Sequence, residues 1–302
     1  ERDSALESLA RLKAQYDSLR TIQISNDIPL PLHFNPLISG QEIPKGREKY
    51  LFQEFPTKRP DNIEDCAFYT IGQLAHLIRT RQISSLELTN MYLSRLERFG
   101  PQLECVITLT RELAIEQAKR ADELIKNGKY LGPLHGIPYG AKDLLAVEGY
   151  KTTWGAMTHK DQFIESTATV IKKLEEAGAV LLAKLTLGAL AWGDNWYGGK
   201  TRNPWNTELG SSGSSAGPGS ATSAGLVAFS IGSETWGSIV SPSTVNGVTG
   251  LRPTFGTVSK SGVMALSWSM DKIGPMCRSV DDCALVYSCL LYTSPSPRDV
   301  SR

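Results

Sequence analysis

Serine hydroxyls crowded into one glycine-rich stretch are the chemically loaded part of this 302-residue sequence. From Gly210 to Pro242 it reads GSSGSSAGPGSATSAGLVAFSIGSETWGSIVSP. The opening run holds small residues only, which permit tight turns and close approach of backbone to a ligand. An apolar run from Leu226 to Ile231 follows, then a second small-residue turn carrying Thr235, Trp236, Gly237 and Ser238. A flexible Gly/Ser linker would have no such apolar continuation. A phosphate-cradling loop would end in Gly-Lys-Ser or Gly-Lys-Thr, and none follows here. What remains is a scaffold that gathers serine hydroxyls and backbone N–H groups, the equipment of acyl transfer.

The stretch resembles the hallmark of the amidase signature family, a GGSSGG-like loop followed by GTDxGGSIRxP. Its first half is Ser212-Gly213-Ser214-Ser215-Ala216-Gly217 and its second runs from Gly232 to Pro242. The spacing between the halves also agrees, and the likeness extends over roughly residues 71–286. The resemblance implies an α/β fold with a mixed sheet covered by helices on both faces. It also implies hydrolysis of a carboxamide C–N bond through an acyl-enzyme.

An amide is a poor electrophile with a poor leaving group, so such a site needs an activated nucleophile, a proton route and oxyanion donors. By resemblance Ser238 is the nucleophile, Ser214 the bridging serine and Lys142 the base. The oxyanion hole is the backbone N–H groups of Thr235, Trp236, Gly237 and Ser238, with Gly213 and Ser215 supporting the loop. The bond before Ser214 is implied to be cis. Lysine acts as a base only when neutral, so burial must lower its pKa. Ile137, Tyr139, Ala141 and Leu144 supply an apolar neighbourhood for Lys142. The reading calls for no cofactor and no metal, and its only named partner is a small-molecule amide.

Three residues depart from the family pattern. Glu234 stands where the family has aspartate, Trp236 where it has the first oxyanion-turn glycine, and Val240 where it has arginine. Val240 cannot pair with an acid, which leaves Arg252 as the candidate partner of Glu234. Trp236 cannot take a strongly positive φ as glycine can. These departures favour a stand-alone hydrolase over the alternative, a glutaminase-type subunit of a tRNA-dependent amidotransferase. A non-catalytic truncated remnant is the reading from another class. Trp154, Trp192, Trp196 and Trp205 flank the motifs and are candidates for an apolar pocket or for core packing. Ser211, Ser212 and Ser220 are expected to make local turn bonds. His135, in an LHGxP-like turn, reads as structural, and His33, His76 and His159 read as ordinary surface or core residues.

The elements that must position these groups are legible from periodicity and capping. Thr70 caps a short helix through Ile78, and a Ser84-x-x-Glu87 capping box opens another with Leu86, Met91, Leu93 and Leu96 as apolar positions. A third helix is expected over residues 111–127. A Gly/Pro turn at residues 132–138 leads into a short strand that delivers Lys142. Residues 167–177 read as a helix stopped by Gly178, followed by a buried strand over 179–185. Helix followed by apolar strand, repeated, argues for a sheet covered by helices.

The ends are different in kind. Residues 4–23 place Leu6, Leu9, Leu12, Tyr16 and Leu19 at helical spacing, an amphipathic helix expected to pack on its own domain. Residues 26–62 are proline-rich and aperiodic and read as an extended arm. The domains are therefore read as 1–62, helix and arm; 63–287, the front part of an amidase signature domain, incomplete; and 288–302, a non-native tail resembling translated adapter sequence. The first residues are neither a methionine nor a signal peptide, so a processed or missing start is expected.

Composition narrows the function classes. The sequence is 41% hydrophobic and 21% charged, with net charge +1, enough to build a sizeable core and no reason to invoke direct nucleic-acid binding. No apolar run reaches the roughly 18–20 residues of a membrane span. The five cysteines are scattered without a CxxC pair, which reads as buried free thiols in a reducing, cytoplasmic setting.

Overall fold

The computed structural model describes residues 2–23 and 55–291. The chain divides into two units, Glu1–Gly46 and Arg47–Arg302. In the first, α1 spans Arg2–Arg20, the expected helix. Its apolar positions Leu6, Leu9, Leu12, Tyr16 and Leu19 are exposed. Most of the proline-rich arm, residues 26–54, lies outside the described residues, as does His33.

The second unit begins with α2 (Ile71–Arg79) and α3 (Ser85–Leu103). Thr70 and Gln73 form a full capping box at α2. The box expected at α3 is only half made. Ser84 Oγ accepts the Glu87 N–H at 3.0 Å, but the Glu87 carboxylate pairs with Arg59. The first amides of α3, from Ser85 and Leu86, are capped by Asp122 at 2.7 and 3.0 Å. Sequence spacing could not show this, because Asp122 lies on a different helix.

Next come β1 (Val106–Leu109), α4 (Arg111–Lys126), β2 (Pro138–Lys142), α5 (Thr169–Glu176) and β3 (Val180–Leu185). Two small hairpins pair β4 (Asn195–Trp196) with β5 (Gly199–Lys200) and β6 (Arg202–Asn203) with β7 (Asn206–Gly210). The chain then forms α6 (Ala216–Ser223), β8 (Phe229–Glu234), α7 (Val240–Asn246), β9 (Thr249–Gly250), β10 (Lys272–Cys277) and α8 (Val280–Leu290).

Six strands form one mixed sheet in the order β1-β3-β2-β8-β10-β9. Its centre, β3-β2-β8, is parallel, and the flanking pairs are antiparallel. Central parallel strands are buried on both faces and so read as continuous small or apolar runs. PYGAK in β2, VLLAKL in β3 and FSIGSE in β8 are buried at every position. Helices α3 and α4 pack on β3, α6 packs on β2 and β8, and α8 packs on β10. Tyr139 and Phe229, on adjacent strands, stack with centroids 5.2 Å apart.

Helix α8 runs past Tyr287. It continues to Leu290, which is fully buried, and Leu291 bridges to Val258. Residues 292–302 lie outside the described residues. The cysteines are free thiols, four of them buried, and burial pushes the Cys66 thiol up to about 11.

His135 is structural, as expected. It is fully buried, stacks on Tyr130, and its Nδ1 accepts the Leu131 N–H at 2.9 Å. Nε2, 3.0 Å from Ala121 O, must then carry the proton. Burial lowers its pKa below the ordinary 6.5. Below that pH the unfolded chain takes up a proton that the folded ring resists. Stability is therefore fully present above pH 6.5 and declines as pH falls towards the folded pKa, by about 1.4 kcal/mol per pH unit. Thermal unfolding followed from pH 8 to 5 should show this decline, and His135→Gln should flatten it.

Candidate active site

The carboxyl ends of two neighbouring parallel strands define the site, where ligand crevices of α/β sheets form. Lys142 is the last residue of β2 and Glu234 the last of β8, and Ala141 pairs with Ile231 between them. The serine-rich loop crosses these ends before α6 begins. Lys142, fully buried, extends Nζ to 2.8 Å from Ser214 Oγ, 3.0 Å from Ser215 Oγ and 2.9 Å from Ser233 Oγ. Burial drives its pKa well below the usual lysine range, with Asp271 and Glu234 opposing that effect. Lys142 is thus a buried amine whose near neighbours are hydroxyls.

The Gly213–Ser214 bond is cis. Gly213 is glycine because the backbone of residue 193 passes against it: a Cβ there would lie 1.8 Å from Gly193 O. Ser215 ties the loop to β8 and to the next turn. Its Oγ donates to Ser233 O at 3.0 Å and its N–H donates to Ser238 O at 3.1 Å. The local bonding expected of the other serines holds for Ser211 alone. Ser212 Oγ meets Ser241 Oγ at 2.7 Å, and Ser220 Oγ donates to Arg202 O at 2.7 Å.

Ser238 is half-buried, and its hydroxyl makes no hydrogen bond among the described residues. It lines a cavity of about 470 Å³ together with Ser214, Thr235, Trp236 and Gly237. Among the described residues nothing accepts the N–H groups of Trp236, Gly237 or Ser238. The replacement of glycine by Trp236 is accommodated because the positive φ, 121°, falls on Gly237. Glu234 meets its expected partner: Arg252 Nη1 lies 3.2 Å from Oε1. Its other oxygen accepts the N–H groups of Ile239 and Val240, each at 2.9 Å, which anchors the start of α7. Of the four flanking tryptophans only Trp192 lines this cavity; Trp154 packs on the core, Trp196 faces another groove, and Trp205 donates to Asn246 O.

Sequence reasoning missed Ser233 and Asp271. Ser233 contributes a third hydroxyl to Lys142, and Asp271 takes the Thr235 hydroxyl and the N–H groups of Leu266 and Ser267. It also missed the ion pair that begins one residue after Lys142, Asp143 with Lys184 at 2.7 Å, both fully buried. Asp143 Oδ2 further accepts the N–H and hydroxyl of Thr153 at 2.8 and 2.6 Å. Lys184→Met would leave that carboxylate charged and unpaired. A loss of about 3–5 kcal/mol in chemical denaturation is the expected outcome.

The amidase family's sequence model matches residues 87–301. The chain belongs to the amidase signature family. The A subunit of glutamyl-tRNA(Gln) amidotransferase from Thermoanaerobacter pseudethanolicus is 39% identical over 75% of this chain and 47% of its own. The protein of the same name from Methylococcus capsulatus is 41% identical over 72% of this chain and 45% of its own. Native peptide amidase from Stenotrophomonas maltophilia superposes with a TM-score of 0.73 at 35% identity, covering 79% of this chain and 51% of that one. The chain thus spans about half the length of the curated relatives it matches. The amidase signature fold expected from the motifs is the fold observed. Among the described residues no helix is long and apolar enough to cross a membrane.

Proposed function

We propose that the chain carries the catalytic half-site of a carboxamide hydrolase. The observation that carries this reading is the buried Lys142 Nζ 2.8 Å from Ser214 Oγ, beneath the cavity that Ser238 lines. Ser238 Oγ attacks the amide carbonyl carbon. Its proton passes to Ser214 as the Ser214 proton passes to neutral Lys142. The oxyanion is met by the main-chain N–H groups of residues 235–238. Collapse breaks the C–N bond while the proton returns through Ser214 to the departing nitrogen, leaving an ester on Ser238. Water then attacks the ester by the same relay, releasing the carboxylic acid and restoring the serine.

A second reading, the glutaminase component of a tRNA-dependent amidotransferase, is supported by the names of the relatives above. It uses the same relay with glutamine as the amide, and would add protein partners. Incubation with a panel of carboxamides and hydroxylamine tests the shared step, because an acyl-enzyme is intercepted as a hydroxamate. Ammonia release with hydroxamate formation is expected; neither product from any amide would remove the hydrolase reading.

A further inference from the structure

The cavity walls differ in character from its floor. The floor is hydroxyl and main chain, whereas Trp192, Trp236 and Leu266 stand around it 74%, 80% and 50% exposed. Large apolar side chains left in water around a concave site mark a surface built to be covered. Trp236 sits within the turn whose N–H groups would face the oxyanion. A substituent on the reacting carbonyl carbon therefore lies within reach of that indole. Two indoles offer flat faces to a ring, where offset or edge contacts add to simple burial.

Charge points the same way. Among the described residues lining the cavity no lysine, arginine or histidine is present, and Asp194 is the single ionisable side chain. Asp194 Oδ2 accepts the Ser212 N–H at 3.2 Å. Lys142 lies below the wall, in contact with the serine hydroxyls and held towards its neutral form. Lys272 stands at the margin with its Nζ donating to Thr235 O at 3.2 Å, so a substrate carboxylate entering here would lose its hydration next to Asp194 with no cation among the lining side chains to receive it.

We propose that this site takes the carboxamide of an apolar arylalkyl acyl group that bears no carboxylate. The inference rests on the hydrolase reading above and narrows it against glutamine. The test uses the full 302-residue chain with 3-phenylpropionamide and L-glutamine, read as ammonia release and as protection of Ser238 from a fluorophosphonate probe. Expected are a kcat/KM about 100-fold higher for the aryl amide, and protection by it at concentrations where glutamine gives none. Trp192→Ala should raise KM for the aryl amide about tenfold. Equal or preferred use of glutamine, with Ser238 still labelled, would overturn the substrate class and leave the hydrolase standing. No turnover and no labelling would overturn both.

Discussion

Ser238→Ala is expected to reduce amide hydrolysis by at least about 10⁴-fold, with thermal unfolding unchanged. The two halves of that expectation have separate grounds. The hydroxyl is the atom that would bond to the acyl carbon, so removing it removes the covalent route altogether. It makes no hydrogen bond among the described residues, so removing it orphans nothing there. The Ser238 contact that does hold the site, its carbonyl accepting the Ser215 N–H at 3.1 Å, is main chain and survives the substitution. Mass spectrometry after rapid quench with a slow amide gives the direct check. An acyl adduct on the wild type and none on the variant is expected; an adduct on the variant would assign the nucleophile elsewhere.

Lys142→Met separates catalysis from stability in the opposite sense to Lys184→Met. Activity should fall by about 10²–10⁴-fold, the usual scale for a general acid–base group. Stability at pH 7 should not fall, because an apolar chain of similar length replaces an amine whose burial opposes its charged form. The Ser215 hydroxyl keeps its bond to Ser233 O when the lysine is gone. The pH dependence carries the sign. The unfolded chain protonates this lysine below about pH 10.4, while the folded chain resists doing so. Wild-type stability therefore rises with pH across that window, by about 1.4 kcal/mol per unit from this group, and the variant lacks the rise. The advantage of Lys142→Met should shrink as pH climbs from 7 towards 10. For kcat/KM the same titration predicts loss on the acid side. Denaturation curves and rate profiles across pH 6–10 read both, and a pH-independent stability difference would mean Lys142 is charged in the fold.

Much of the fold and of the site was written in local sequence. Thr70, Ser84 and Gly178 mark helix ends because caps and stops act within a few residues. The mostly apolar or small runs before Lys142 and over residues 179–185 declare the buried strands β2 and β3. Resemblance of the motifs to the amidase signature singled out Lys142, Ser214 and Ser238. It also foresaw the meeting of Glu234 with Arg252, because a charge deprived of its local partner must find another. The tertiary structure alone decided the rest. Asp122 took the first two amides of α3, Arg59 drew off the Glu87 carboxylate, and Asp143 met Lys184 across the β2–β3 pairing. Ser233 and Asp271 joined the site only because β8 lies between β2 and β10. The extent of α8 was likewise settled by Leu290 finding the core. The division has one physical cause. Caps, turns and strand alternation are satisfied by near neighbours in the chain, whereas buried charges and hydroxyls are satisfied by whatever residues the sheet order brings beside them.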